Sequence, residues 1–379
     1  MKPDGPIKVM LVIARMNVGG PAILVADLIR NFDSRVVDSV LVTGYCDQNE
    51  SDYLDEVATD LQAIRISGLG RSISLIKDLK AFFLLINEIR RFKPDVIHTH
   101  TAKAGLLGRV AGLIAAPSAK RVHTFHGHLL HGYFGNGKTQ IVIIVERLLA
   151  LICVRLIAIG NSVKDDLLKA GVGKEEKYEV IFPGLQSLRI HPKAEARNSL
   201  GLEAAKIYLV FAGRLTQIKR PDRLLELGRF LKFNYPDAHL LVAGAGELLD
   251  TTKSSAESEK LPVTFMGWRN DIDLILSGSD IAILCSENEG IPLTLIQAAQ
   301  AGLPIVSTNV GSVSDIVIQG QTGLLTEASS EALISAVAQL LDDIPLCIKL
   351  GKAGQKHANE FFTSEAMVKH HERFYSQIV

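Results

Sequence analysis

The sequence predicts an α/β protein made of two doubly wound parallel-sheet domains, and three observations carry that expectation. Apolar runs of strand length alternate with helical segments along most of the chain. The alternation runs twice, with a Pro-, Gly- and charge-containing stretch at 183–205 between the two series. At 379 residues the chain also exceeds what one ordinary core accommodates. The expected division is 1–184 for a first domain, 185–362 for a second, and 363–379 for a terminal helix that packs back on the first.

Composition removes several classes of function. Lys plus Arg and Asp plus Glu both number 41, so no overall field draws the chain to nucleic acid. Cys46, Cys153, Cys285 and Cys347 lie far apart without a CxxC, which reads as buried thiols in a reducing, cytoplasmic compartment. The N-terminal MKPDGPIKVMLVIA reads as a strand rather than a signal peptide. Segment 141–159 carries Glu146, Arg147 and Arg155, which break any membrane-length apolar run. It reads as a buried helix followed by a strand, and contact with a membrane surface from 138–155 is the weaker option.

In chain order, KVMLVIA at 8–14 is the first strand. The turn RMNVGG follows, and a helix from Pro21 to about Asn31 starts with Pro in its first turn. Gly19 and Gly20 allow close backbone approach to a ligand, although a strand-to-helix Gly pair is equally a tight turn. The strands VVDSVLVT, LQAIRI, DVIHTH, RVHTF, RLIAI and KYEVIF come next. Helices are expected near 51–60, 72–92, 103–115, 138–152 and 162–170. His98 and His100 share one face of a strand, because side chains repeat every two residues. His123, His126, His128 and His131 cluster at the next strand end. A zinc site is the competing reading, but no Cys joins them and carboxylates are missing nearby. The preferred reading is a cleft edge with His126–Gly127 reaching in, Lys103 near a helix start, and the other histidines structural.

The second series opens at Ile207 with YLVFAGRL, then a loop and an amphipathic helix. Arg214 and Lys219 flank that loop, where a guanidinium fork and an ammonium point charge suit phosphate oxygens. AHLLVAGAGE, VTFMGW, DIAILC, PIVST and TGLL follow, with Gly244–Ala245–Gly246 read as a turn. Asp271 and Asp273 read as helix-start charges rather than metal ligands. Helices at 329–342, 345–361 and 364–378 end the chain.

The stretch SENEGIPLTLIQAAQAGLPIVSTNVG, from Ser286 to Gly311, holds the chemistry together. Strand, loop, helix and strand form one βαβ unit, whose helix presents an apolar face of Leu293, Ile296 and Ala299. Backbone N–H groups of Gly290, Ile291, Pro292 and Leu293 are expected at a helix N-terminus, which favours phosphate. Glu289 stands at the mouth of the same turn.

With these residues in place, the chain resembles the retaining glycosyltransferases of family 4. The likeness spans essentially the full length through the Gly19–Gly20 turn, HTHTAKAGLLGR, HTFHGH, GRLTQIKRPD, FMGWRNDI and ENEGIPLTLIQAAQAGLPIV. The resemblance implies the GT-B fold, two Rossmann-like domains facing across a deep cleft. It implies a nucleotide diphosphate sugar donor, UDP- favoured over GDP-, with no cofactor and no metal required. Arg214 and Lys219 then bind the diphosphate, 290–293 touch phosphate or sugar, Glu289 meets the donor sugar, His126 stands at the reacting centre, and Gly267 to Arg269 lie near the base. The implied acceptor is a hydroxyl on a lipid-linked glycan in cell-surface polysaccharide assembly, reached at the inner face of a membrane. A hydrolysing nucleotide-sugar epimerase and a non-catalytic binding partner of an active transferase are the alternatives. Two departures stand out. The family's second Glu is replaced by Gln297, whose amide oxygen accepts a weaker hydrogen bond than a carboxylate. Phe182–Pro183–Gly184 also stands where members commonly show Pro-Asn-Gly.

Overall fold

The structure, a computed structural model, describes residues 5–48, 50–127 and 136–379. It divides into two compact units: Met1–Leu185 with Ser364–Val379, and Gln186–Thr363.

The first unit runs β1 (Ile7–Ile13), α1 (Gly20–Asn31), β2 (Val37–Thr43), α2 (Tyr53–Glu56), β3 (Ala63–Arg65), α3 (Leu75–Phe92) and β4 (Val96–His100). It continues with α4 (Ala102–Ala115), β5 (Lys120–Phe125), α5 (Asn136–Leu151), β6 (Arg155–Ala158), α6 (Asn161–Lys169) and β7 (Tyr178–Val180). All seven strands are parallel, in the order β3-β2-β1-β4-β5-β6-β7. Strand β1 is an almost wholly buried apolar run, as expected of a central strand covered on both faces.

The second unit holds α7 (Lys193–Leu200), β8 (Ile207–Ala212), α8 (Pro221–Asn234), β9 (Ala238–Ala243), α9 (Leu249–Ser258), β10 (Val263–Gly267) and α10 (Ile272–Gly278). After these come β11 (Ile281–Leu284), α11 (Leu293–Gln300), β12 (Ile305–Thr308), α12 (Val313–Ile316), β13 (Gly323–Thr326), α13 (Ser330–Asp342) and α14 (Ile344–Phe361). Its six strands are parallel in the order β10-β9-β8-β11-β12-β13. The last helix, α15 (Ser364–Ile378), returns to the first unit, packs on α1 and hydrogen-bonds through Ser364 to the backbone of Leu185.

Three local expectations change. The helix expected over 51–60 shrinks to the single turn of α2, which Asp52 caps at Leu54. The β-branched Val57 and Thr59 that follow are poor helix formers. The apparent linker contains α7, which packs on α10 and buries Ala196 and Arg197. Arg197 donates to Asp280 at 2.7 Å and to the carbonyl of Gly278 at 3.0 Å, so a polar stretch is held by tertiary bonds. On α11 the buried side chains are Leu295, Ile296, Ala298, Ala299 and Gln300, while Leu293 is only half-buried.

The Gly244–Gly246 turn reads as expected. With φ of 152° and 157°, added Cβ atoms would stand 1.9 Å from the Gly213 carbonyl oxygen and 2.3 Å from that of Leu215. The close packing against the β8 exit loop therefore demands glycine.

The helices α3, α4 and α5 lie side by side on the first unit. Ile73, Leu75 and Ile76 are exposed to 91, 85 and 82%, and Leu106, Ile141, Ile144 and Leu148 also face outward. Beneath α5, Glu146 accepts two bonds from the fully buried Arg109 of α4 at 2.8 and 2.9 Å. Of the charges that interrupt this apolar segment in sequence, Glu146 thus joins two helices inside the core.

Candidate active site

In each sheet the strand order reverses at one place, between β1 and β4 and between β8 and β11. Loops leaving the carboxyl ends of such a strand pair diverge and open a crevice, the usual ligand site of doubly wound folds. In the second unit, β8 pairs directly with β11 through Leu209–Ile281 and Val210–Ala282. The loop carrying Arg214 and Lys219 leaves β8, and the loop carrying Glu289 leaves β11. Residues 70 apart in sequence therefore meet: the Lys219 Nζ donates to Glu289 Oε1. Ser286 Oγ donates to the same oxygen at 2.6 Å, which fixes the carboxylate.

Cations on the β8 side fasten the second loop. Arg223 donates to the Cys285 carbonyl at 2.7 Å and to Glu287 at 2.5 Å, and Arg220 bonds both Glu287 and Asp222. The Glu287 N–H reaches the Ile218 carbonyl at 2.8 Å, and the Ser312 N–H reaches the Gly290 carbonyl at 3.1 Å. Glu289 and the segment after it are thereby rigid before any ligand arrives, which is how a site avoids reorganisation. Ser286, Arg223 and Glu287 were not singled out from sequence. Their only signal was the nearness of Ser286 and Glu287 to Glu289.

At the start of α11, the N–H groups of Gly290, Ile291, Leu293 and Thr294 donate to no acceptor among the described residues. Pro292 caps the helix and lacks an N–H, so the expected donor set loses Pro292 and gains Thr294. Gln297 lies half-buried on the same helix. Arg214 is exposed and has no bonding partner among the described residues. Arg269 is engaged locally, its guanidinium forked onto Asp271 at 2.8 and 2.5 Å, and no contact joins it to Lys219 or Glu289. A hollow of about 690 Å³, lined by Gln217, Arg220, Leu248 and Thr252 among others, includes none of these expected residues. It is a surface groove behind the Lys219 turn.

In the first unit, Gly19 and Gly20 follow β1, and His126 follows β5. Gly19 is extended (φ 168°), and a Cβ there would make only ordinary contact with Asn17 at 3.8 Å. The protein's own packing thus does not require glycine at 19. His126 Nε2 stands 2.9 Å from His100 Nδ1, and burial pushes its pKa down to about 4, helped by nearby His371. His98 hydrogen-bonds Tyr375 at 2.6 Å and Thr124 at 2.7 Å, while His123 bonds Thr99 at 2.8 Å. Burial likewise holds His98, His100 and His123 well below the ordinary histidine value. His128 and His131 lie outside the described residues. Lys103 serves the scaffold, donating to the Gly68 and Ser72 carbonyls and pairing with Asp78.

Comparison with known proteins identifies the family and the fold. Residues 18–186 match the model of Glycosyltransferase Family 4, and residues 192–357 match Glycosyl transferases group 1. An Escherichia coli UDP-Gal:alpha-D-GlcNAc-diphosphoundecaprenol alpha-1,3-galactosyltransferase is 31% identical over 82% of this chain and 82% of its own length. The capsular polysaccharide biosynthesis glycosyltransferase CapM of Staphylococcus aureus is 25% identical over 84% of this chain and 86% of its own. Among solved structures, Anabaena HepE in complex with UDP superposes with a TM-score of 0.82 at 18% identity, covering 98% of this chain and 100% of that one. Sucrose-phosphate synthase from Thermosynechococcus elongatus gives 0.80 at 20% identity, covering 98 and 99%. Two parallel Rossmann-like sheets, a strand-switch site holding Lys219 against Glu289, and a relative 31% identical over most of the chain lead to one conclusion: the chain belongs to glycosyltransferase family 4 and is a glycosyltransferase of the GT-B fold.

Proposed function

We propose that this glycosyltransferase moves a sugar from a UDP-sugar, with retention of anomeric configuration and without a metal, onto a hydroxyl of a lipid-linked glycan. The single observation that carries the donor half is the meeting of Lys219 and Glu289 beside four N–H groups without acceptors among the described residues. As the glycosidic C–O bond breaks, negative charge builds on the departing diphosphate. Lys219, Arg214 and those amides neutralise it, and preorganised donors of this kind contribute several kcal/mol. Glu289, held by Ser286, orients the donor sugar, and Gln297 accepts from ribose hydroxyls. His126, Gly19 and Gly20 are assigned to the sugar and phosphate from the first domain, and Arg269 to the base. Crystals of HepE with UDP and with UDP-glucose support the nucleotide, and the diphosphoundecaprenol-linked substrate of the E. coli relative supports the acceptor.

The test is a panel of UDP-, GDP- and ADP-sugars assayed with a membrane lipid extract, with and without EDTA. A UDP-sugar consumed only when acceptor is present, equally with EDTA, is the expected result. Donor conversion without acceptor would instead indicate an epimerase, and EDTA inhibition reversed by a divalent ion would refute the metal-free mechanism.

Contact with an anionic bilayer belongs to the same reading. Among the described residues no helix is long and apolar enough to cross a membrane. The outward Leu75, Ile76, Ile141 and Ile144 lie among exposed Lys77, Lys80 and Arg147, whereas Asp78 and Glu88 of α3 are already paired with Lys103 and Arg91. Outward apolar side chains on helices that also expose cations suit an anionic interface. Flotation with anionic vesicles, lost in Leu75→Ser/Ile76→Ser, is expected; equal flotation of both proteins would exclude this face.

A further inference from the structure

The histidines of the first unit form a connected set that the proposed reaction uses at only one end. His371 of α15 stacks on His98 at 5.9 Å between ring centroids, His98 lies 4.2 Å from His100, and His100 lies 5.1 Å from His126. The tautomer at the inner end follows from its partners. A phenol is a stronger donor than an imidazole, so Tyr375 donates to His98 Nδ1, and His98 Nε2–H then donates to Thr124 Oγ1.

At the outer end, one proton serves the short bond between His100 Nδ1 and His126 Nε2. The atoms left over, His100 Nε2 and His126 Nδ1, are both buried and have no partner among the described residues. Because each neutral ring carries one N–H, one of these atoms is a donor and the other a bare acceptor. An enclosed N–H without a partner is rarer and costlier than an unused lone pair. His100 is the more enclosed ring, 1% exposed, so the lone pair falls there and the proton of His126 lies on Nδ1. We propose that His100 is a positioning residue: its Nδ1–H holds His126 Nε2 as an acceptor, which fixes the His126 proton on Nδ1 in a single tautomer. This rests on the assignment of His126 to the donor sugar.

Among the described residues, Thr124 and His371 are the polar side chains besides His100 and His126 that line the cavity at His126. Leu24, Val25 and Leu28 of α1, Ile157 and Ile159 around β6, and Ile181 line the same small cavity and are apolar. Asp27 of α1 accepts from Ser364, and Glu179 bonds His370. A protonated His126 would turn an N–H toward the N–H of His100, so the pair also keeps His126 neutral.

The test uses the full chain labelled with 15N-histidine, the His126 signals being assigned by their absence in His126→Gln. Wild type is expected to show His126 in one tautomer, protonated at Nδ1, near neutral pH. His100→Phe keeps a ring but removes the donor. It should give mixed tautomers, raise the pH at which His126 titrates, and lower kcat roughly tenfold to a hundredfold with the donor KM little changed. His100→Asn, whose amide N–H can replace Nδ1–H, should restore both the tautomer and most of kcat. A wild-type His126 protonated at Nε2, or a His100→Phe protein with unaltered tautomer and kcat, would overturn the proposal. If His100→Phe does not fold, wild type and His100→Asn decide it. The tautomer is read without substrate, so an absence of sugar transfer would refute the function while leaving this inference separately measured.

Discussion

Replacing both Arg214 and Lys219 by Ala should lower kcat/KM for sugar transfer by at least about a thousandfold, because on the proposed assignment each removes a positive charge that neutralises the leaving diphosphate. The two singles should not be equal. Arg214 is exposed and has no bonding partner among the described residues, so its loss costs only what it contributes to ligand. Lys219 also neutralises Glu289, whose side chain is 9% exposed. Lys219→Ala leaves that carboxylate uncompensated beside the expected position of the diphosphate, and the two penalties have the same sign. Steady-state kinetics should therefore rank Lys219→Ala below Arg214→Ala, with Lys219→Ala/Glu289→Gln recovering part of donor binding. A folded double variant with more than about a tenth of wild-type activity would refute the assignment of these cations.

Arg109→Met should cost the first domain about 3–5 kcal/mol, the usual penalty for stranding one member of a buried ion pair. Arg109 is fully buried, Glu146 nearly so, and Arg109 also donates from Nε to the Gly105 carbonyl at 2.7 Å. Removing both charges with Arg109→Met/Glu146→Leu should recover most of the loss, and urea unfolding of the four proteins forms a double-mutant cycle. The pH dependence has a definite sign. Burial already raises the Glu146 pKa against the opposing pull of Arg109. Without Arg109 it rises further, and a group with a raised folded pKa loses stability as pH rises through that value. The gap between Arg109→Met and wild type should hence widen as pH rises above the ordinary carboxylate range. A gap that narrows, or a variant within about 1 kcal/mol of wild type, would show that the pair carries little of the core.

Much of the fold was legible because buried parallel strands write themselves as continuous apolar runs, IKVMLVI and IAIL among them, closed by Gly, Pro or polar turns. Segments whose structure comes from distant partners were not. The 183–205 stretch looked like a linker because Pro, Gly and charge dominate it, yet Arg197 bonds Asp280, 83 residues away, and makes α7 part of the domain. Glu146 read as an interruption of an apolar segment, since nothing in the spacing shows that it pairs with Arg109 inside the core. Pro292 was counted among helix-end donors because the turn as a whole suggested phosphate, although its ring removes the hydrogen.

By itself, then, the chain determined two parallel sheets, where their strands fall, and which loops leave the carboxyl ends, because hydrophobic periodicity and turn residues act over a few positions. Only the tertiary structure decided that Lys219, among several cations near one turn, meets Glu289, and that His100 rather than the bulk of the histidine cluster touches His126. Those pairings depend on which strands lie side by side at the reversal of each sheet, a long-range fact that local spacing does not encode.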